Sequence, residues 1–325
     1  MAHYLVSGAA GFIASAVTTL LLRDGHTVVG VDNLNDAYDV RLKQWRLDRL
    51  KRQGGASFER CDVSDRAAVE KVWGRLGPFD GVIHLAARVG VRYSVENPWV
   101  YLETNATGTL NLLEAGRRRG LRKFVFASTS SLYGAHNALP YSESADTSHP
   151  LSPYAASKKA AEVLCHTYHH LYGLDVSILR YFTVYGPAGR PDMSIFRFIQ
   201  WIAEGRPVTV YGDSSQSRDF TYVEDVAQGT AAACKPLGYE VINLGSDRPV
   251  SVADTIALIE GLVGKRADIQ YKPAHRADVP ATWADISKAR RLLDWEPTTK
   301  QEEGVERCVK WYLENRRWAS MIETE

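Results

Sequence analysis

Through its first 180 residues the chain alternates short apolar runs with longer amphipathic segments, and few architectures accept that rhythm. HYLVSG, HTVVGVD, ASFERCD, FDGVIHLA, KFVFAS and DVSILRYF each read as a buried strand of about five residues. Between them lie segments of helical period such as FIASAVTTLLLRDG and PWVYLETNATGTLNLLEAGRRRG. Strand and helix in alternation predict an α/β fold, a doubly wound parallel sheet covered by helices on both faces. Beyond residue 180 the rhythm breaks into loops where Gly, Pro and aromatic residues crowd together. YEVINLG over 239–245 reads as one more sheet strand. The expected organisation is a sheet domain over 1–180, taking back that strand, and a smaller interleaved domain over 181–325.

Gly8-Ala9-Ala10-Gly11-Phe12-Ile13-Ala14 stands between the first strand and the first helix. Glycines there let the main chain turn tightly and approach a pyrophosphate, which the helix N-terminus then holds. The strand, the helix and an acidic residue ending the second strand, Asp32, all fall in place for a Rossmann-type dinucleotide site. A carboxylate there accepts from both ribose hydroxyls and repels a 2′-phosphate, which favours NAD over NADP. Asp62-Val63 after the third strand are placed to meet the adenine. Leu85-Ala86-Ala87, after His84 and the fourth strand, offer small side chains where the dinucleotide passes. Ala14 stands where such turns carry a third Gly.

Tyr154 and Lys158 sit four residues apart just after Pro153, so they share one face of a helix. An ammonium beside a phenol lowers its pKa from about 10. The phenolate then becomes a usable general base near neutral pH. Ser128-Thr129-Ser130-Ser131 end the fifth strand, at the carboxyl edge where such sheets bind ligands.

These residues resemble the extended short-chain dehydrogenase/reductase family over nearly the whole chain. GAAGFIAS, VDN, HLAA, TSSLYG, YAASK, YFTVYGP, SRDFTYVEDVA and RRLLDWEPTT follow its order and spacing. The resemblance implies Tyr154 as base, Lys158 as the group that also holds the nicotinamide ribose, and Thr129 as hydrogen-bond partner of the reacting hydroxyl. Phe12, Ile13, Asn33, Asn105 and Tyr181 complete the expected dinucleotide contacts. Arg218 in SRDF and Arg276 in HRADVP match positions that meet the diphosphate of a nucleotide sugar, chemistry that suits paired guanidinia.

Within the family the chain is most similar to the UDP-glucuronic acid 4-epimerases, through ARVGVRYSVENPWVY and YFTVYGPAGRPDM. Arg88 departs from the Gln usual there. UDP-galactose 4-epimerases usually carry Asn where this chain has Thr183, and they lack the GRPDM turn. Arg190 in that turn is therefore expected to meet a sugar carboxylate. Thr129, Ser130, Ser131 and Thr183 are expected to supply neutral donors to the same group. The 4,6-dehydratases place an Asp-Glu pair in the strand-five run, and the decarboxylases a Glu. Ser130 and Ser131 stand there instead. The implied reaction inverts C4 of UDP-glucuronic acid through a 4-keto sugar with NAD held throughout. A UDP-glucose/UDP-galactose 4-epimerase, or another nucleotide-sugar epimerase or dehydratase, is the alternative. A dinucleotide redox sensor on the same fold is a third reading, which the intact Tyr154–Lys158–Thr129 set opposes.

A net charge of +1 gives no bulk case for nucleic acid or an anionic membrane as partner. Cys61, Cys165, Cys234 and Cys308 lie far apart without metal-ligand spacing, as reduced thiols of a cytoplasmic protein would. No apolar run reaches the ~18 residues of a membrane span. A homodimer is expected through the segments 98–119 and 153–172, with Leu112, Leu164, His166 and Leu171 as contacts.

Overall fold

A computed structural model of the chain describes residues 1–274 and 278–324. The first six strands are β1 (His3–Ser7), β2 (Thr27–Asp32), β3 (Ala56–Arg60), β4 (Gly81–His84), β5 (Lys123–Thr129) and β6 (Asp175–Tyr181). Six more follow: β7 (Thr183–Tyr185), β8 (Val208–Tyr211), β9 (Ser217–Tyr222), β10 (Tyr239–Leu244), β11 (Pro249–Ser251) and β12 (Ile269–Lys272).

Seven strands form one sheet in the order β10-β6-β5-β4-β1-β2-β3, every pair parallel. The order reverses between β1 and β4. At that point the helices leaving neighbouring strands diverge to opposite faces, so a crevice opens beyond the carboxyl ends. β4 and β5 are buried at every residue, as a covered parallel sheet requires. β3 differs from the buried strand its apolar run suggested. It is the sheet edge, with residues half-buried or exposed along its length.

The segment 98–119 is continuous but not regularly helical. Trp99–Tyr101 runs into a π-helical stretch, Leu102–Thr107, before the α-helix Gly108–Arg117 resumes. The wider turn places Asn105 inward, fully buried. After residue 180 there is more helix than the crowding of Gly and Pro suggested. Helices Ser194–Glu204, Val252–Val263 and Gln301–Glu314 pack into a second core around Phe196, Ile199, Ile256 and Val309. Leu42, Tyr38 and Trp45, in and before the helix Val40–Gln53, join that core from the first half of the chain. The helix that follows the dinucleotide-type strand β2 thus rests against the part that carries Arg190.

Candidate active site

The glycine-rich turn is built by close approach. Gly8 has φ 73°, and a Cβ there would lie 2.7 Å from the Ala86 nitrogen. Only Gly lets β1 and the loop after β4 touch in this way. Gly11 donates to the Gly8 carbonyl at 2.7 Å and opens the helix Phe12–Arg23. The first amides of that helix have no intrahelical acceptor, which leaves them for an anion. Asp32 is buried beside them and accepts from the Ala10 amide at 3.2 Å and the Leu34 amide at 2.8 Å. A carboxylate has about four acceptor positions, so lone pairs remain for two ribose hydroxyls. The residues present therefore fit a dinucleotide.

The residues expected on the adenine side are found together. Asp62 accepts from Asn33 at 2.8 Å and from the Ser64 amide and hydroxyl at 2.9 and 2.7 Å. Burial opposes its ionisation, but those hydrogen bonds outweigh it and hold the carboxyl below its usual pKa. Val63 is buried beneath them.

His84, which sequence reasoning left without a role, organises the Leu85–Ala86 turn. Leu85 and Ala86 donate to Ser7 Oγ at 3.2 and 3.1 Å, so the Ser7 hydroxyl donates on to His84 Nδ1 at 2.6 Å. His84 Nε2 then carries the proton toward Thr109 Oγ1 at 3.0 Å, and Thr109 donates to the Asn105 carbonyl. Complete burial, reinforced by the Lys158 charge, pushes the imidazole well below 6.5. It is a neutral linker.

Asn105 is fully engaged with protein. Its amide donates to the Arg88 carbonyl and Ser157 Oγ, both at 2.9 Å, and its carbonyl accepts from the Arg88 amide at 2.8 Å. It ties the loop after β4 to the Tyr154 helix. Tyr181 points its phenol into the core, against Thr230 Oγ1 at 2.9 Å. Any contact it makes with a ligand therefore falls to its main chain.

Ser152 caps the helix Pro153–Tyr172 by accepting from Ala155, with Pro153 in the first turn. Tyr154 is 8% exposed and Lys158 only 2%. Lys158 donates to the Ala127 carbonyl at 2.7 Å and lies 4.7 Å from the Phe126 ring centre. Burial lowers its pKa to about 7. The phenol differs from the sequence expectation. Burial raises its pKa, and the opposing influences are a hydrogen bond with Thr129 and the charge of Arg190, not of Lys158. The ammonium spends itself on a backbone carbonyl. Tyr101 stacks edge-on to Tyr154 at 6.1 Å and holds Val89 and Gly90 through their carbonyls.

Thr129 ends β5 and caps the short turn Ser130–Tyr133, accepting from the Ser131 amide at 3.1 Å. Ser130 and Ser131 are half-buried, whereas Ser128 turns inward to Glu162 at 2.6 Å. Beneath them Glu162 makes a buried ion pair with Arg180, whose guanidinium also donates to the Tyr133 hydroxyl. Thr183, Arg190, Met193 and Phe220 line one cleft. Arg190 is paired with Asp192. Arg218 donates to the carbonyls of Ser217 and Pro280 at 2.8 and 3.3 Å. Arg92, not singled out from sequence, lies 3.8 Å over the Tyr211 ring and pairs with Asp278 at 2.7 Å. Its place in the quoted VRYSVENP motif was the available signal. Arg88 sits 5.8 Å over Tyr93. Arg276 lies outside the described residues. Arg88 and Arg190 both act electrostatically on the Tyr101 phenol, and Arg92 acts on Arg218, so these cations lie in two local groups that suit an anionic ligand.

Of the expected subunit contacts, Leu112 is corrected. It is 1% exposed and packs inside the protomer, because the inner face of its helix lies against Phe124 and Phe126. Leu164 is half-buried against the same core, while His166 and Leu171 are exposed. Exposed His136, Asp146 and His149 bring three ligand atoms within 4.8 Å of one another, but Asp146 already accepts twice from Ser148.

Residues 4–245 match the model of the NAD dependent epimerase/dehydratase family, and the chain belongs to that family. It is 55% identical over 316 residues to the UDP-glucuronate 4-epimerase of Thermodesulfobacterium geofontis, covering 97% of both chains. The UDP-glucuronic acid 4-epimerase of Bacillus cereus, solved with UDP-glucuronic acid and NAD, superposes with a TM-score of 0.90 at 38% identity. That match covers 96% of this chain and 99% of the other. The UDP-glucose 4-epimerase of Thermotoga maritima, solved with UDP-glucose, gives a TM-score of 0.89 at 33% identity, covering 97% and 99%.

Proposed function

We propose that the chain is a nucleotide-sugar 4-epimerase that interconverts UDP-glucuronic acid and UDP-galacturonic acid through a transient 4-keto sugar. The carrying observation is that Thr129, at the carboxyl end of β5, hydrogen-bonds Tyr154 while the charge of Arg190 reaches the same phenol. NAD, the family's cofactor, supplies hydride acceptance and return at C4 when bound. Gly8, Gly11, Phe12 and Ile13 would hold its diphosphate, Asp32 its ribose hydroxyls, and Asn33, Asp62 and Val63 its adenine. Leu85, Ala86 and Ala87, braced by Asn105, and the main chain of Tyr181 would line its path to Lys158. We read residues 1–180 with the returning strand β10 as the dinucleotide-binding domain, and 181–325 as the sugar-nucleotide domain.

Tyr154 takes the proton of the 4-hydroxyl and later returns it to the same oxygen, after the keto sugar has turned so that hydride would reach C4 on the opposite face. Burial alone would make its phenolate costly, so the nearby Arg190 charge and the Thr129 hydrogen bond favour the base form. Thr129 also orients the reacting hydroxyl. Arg218, with Arg92 and Arg276, anchors the diphosphate while the keto sugar turns.

Oxidation at C4 of a uronic acid gives a β-keto acid, which loses carbon dioxide when the carboxylate bond aligns with the carbonyl π system. That loss drains charge from the carboxylate. Donors fixed on it stabilise the ground state more than the decarboxylation transition state. Ser130, Ser131, Thr183, Thr129 and Arg190 form that clamp, with Arg88 bordering the same cleft.

A homodimer fits the outer faces of the two helical segments, where Trp99 is 73% exposed, Val163 54% and Leu171 59%. Among the described residues no helix is long and apolar enough to cross a membrane. All four cysteines are free, in keeping with a reducing cytoplasm.

The test is incubation of the pure protein with a panel of UDP-sugars, followed by proton NMR at C4. Inversion of UDP-glucuronate is expected. Inversion of only UDP-glucose and UDP-galactose would transfer the assignment to a neutral-sugar epimerase, and turnover of none would leave a dinucleotide-binding protein.

A further inference from the structure

The helix Val40–Gln53 buries Leu42, Lys43, Arg46, Leu47 and Leu50, so two cations interrupt its apolar stripe. Lys43 has a local explanation, donating to the Asn35 carbonyl and side chain at 2.7 and 2.9 Å. Arg46 does not. It is 2% exposed, and among the described residues no carboxylate lies within ion-pair reach of it. A guanidinium has five N–H donors in a planar fork, and here all five are used. Nη1 donates to the Ala10 carbonyl at 3.1 Å and to the Tyr38 hydroxyl at 2.6 Å. Nε and Nη2 donate to the Ala188 carbonyl at 3.2 and 2.7 Å, and Nη2 also reaches the Gly189 carbonyl at 3.2 Å. Phe12 and Tyr38 cover its faces at 5.8 and 5.5 Å.

The acceptors belong to two places far apart in sequence. Ala10 lies inside the glycine-rich turn, one residue before Gly11. Ala188 and Gly189 immediately precede Arg190. Ala188 also holds a positive φ of 52°, which a residue with a Cβ keeps only where its surroundings impose it. A buried, unpaired cation is costly unless carbonyl dipoles and ring faces replace its water. Packing alone would be served by Leu or Met at this position. The fork instead fixes the separation between the turn that meets the dinucleotide and the turn that carries Arg190.

We infer that Arg46 is a positioning residue that couples the dinucleotide-binding turn to Arg190, and through Arg190 to recognition of an acidic sugar. This inference rests on the proposed epimerase reading. Its charge also adds positive potential beneath the anion-binding turn. Lys cannot replace it, because an ammonium has three donors on a single point and cannot span both turns.

Calorimetric titration of UDP-glucuronate and UDP-glucose into the full chain carrying Tyr154→Phe measures binding without conversion. Adding Arg46→Lys is expected to weaken UDP-glucuronate about tenfold or more, and UDP-glucose less than about threefold. In an Arg190→Ala background the same substitution is expected to add less than about threefold, because the route through Arg190 is already cut. Equal loss for both sugars, or full additivity with Arg190→Ala, would overturn the coupling. Tyr38→Phe removes one acceptor and keeps the ring. It is expected to reproduce the same selectivity at about threefold, and it decides the matter if Arg46→Lys does not fold. Failure of the Tyr154→Phe protein to bind UDP-glucuronate at all would instead reject the proposed function.

Discussion

The two halves of the cleft solve opposite problems. On the glycine-rich-turn side, side-chain hydrogen bonds within the protein already fix the loops, and the first amides of the helix Phe12–Arg23 and the spare lone pairs of Asp32 are left over. An unbroken chain runs from Ala86 through Ser7, His84 and Thr109 to the Asn105 carbonyl, and Asp62 is held by Asn33 and Ser64. On the side proposed for the sugar, two cations rest on carboxylates near the surface. Arg190 pairs with Asp192, whose side chain is 45% exposed, and Arg92 pairs with Asp278, 28% exposed. On the proposed reading a dinucleotide enters a prepared cradle, whereas an anionic sugar competes with Asp192 and Asp278 for Arg190 and Arg92. Affinity on that side is then a difference between two ion pairs, which leaves room for selectivity.

The largest effect belongs to the group between the halves. Tyr154→Phe should lower kcat by ~10²–10⁴-fold while leaving the dinucleotide content of the purified protein unchanged. A rate within about tenfold of wild type would remove Tyr154 from the acid–base role.

Next comes Arg190, the cation proposed to recognise the acid. Charge-assisted hydrogen bonds contribute roughly 1.5–3 kcal/mol, so Arg190→Ala should weaken UDP-glucuronate by about 10- to 150-fold. UDP-glucose should change little. Equal losses in a titration of both sugars would place the carboxylate elsewhere.

On the prepared side, Asp32→Ala should weaken NAD by about tenfold and narrow the preference over NADP. Fluorescence titration with both dinucleotides reads this directly, and an unchanged ratio would move the discrimination to another residue.

Because Asp192 competes for Arg190 on this reading, Asp192→Asn should tighten UDP-glucuronate rather than weaken it. An exposed ion pair is worth about 0.2–1 kcal/mol, which corresponds to at most about fivefold. Weaker binding would mean that Asp192 aims Arg190 instead of competing for it.

The smallest effect is one of stability. His84 is held neutral, its folded pKa well below 6.5. Protonation therefore favours the unfolded chain, so stability is intact above pH 6.5 and declines as pH falls below it. Denaturant midpoints should show this acid-side decline reduced in His84→Gln. An identical pH profile for both proteins would contradict the neutral-linker role.

Much of the sheet was legible because buried parallel strands and covering helices have distinct periods. The edge position of β3 was not, since ASFERCD has the apolar content of a strand but no mark of which neighbour it lacks. The Gly8–Gly11 turn and Asp32 were readable because their constraints are local. The surroundings of Tyr154 were not. Helical spacing put Lys158 beside it, yet the ammonium turns to the Ala127 carbonyl, and the charge that acts on the phenol comes from Arg190, thirty-six positions later in the sequence. Arg46 did leave a signal, a cation at an apolar position of the helical stripe in RLKQWRLDRL. Its partners in two remote turns left none. Leu112 shows the same limit, because a helix with two apolar faces does not say which one meets its own core.

The most direct test of the account follows the hydrogen at C4. UDP-glucuronate deuterated at C4 is incubated in light water with the full chain, and the UDP-galacturonate formed is examined by NMR. Hydride chemistry inside a closed cleft predicts that the deuterium stays at C4 of the inverted product. Deuterium replaced by solvent hydrogen at C4 would mean that inversion proceeds by removing a proton from carbon, and it would contradict the central claim.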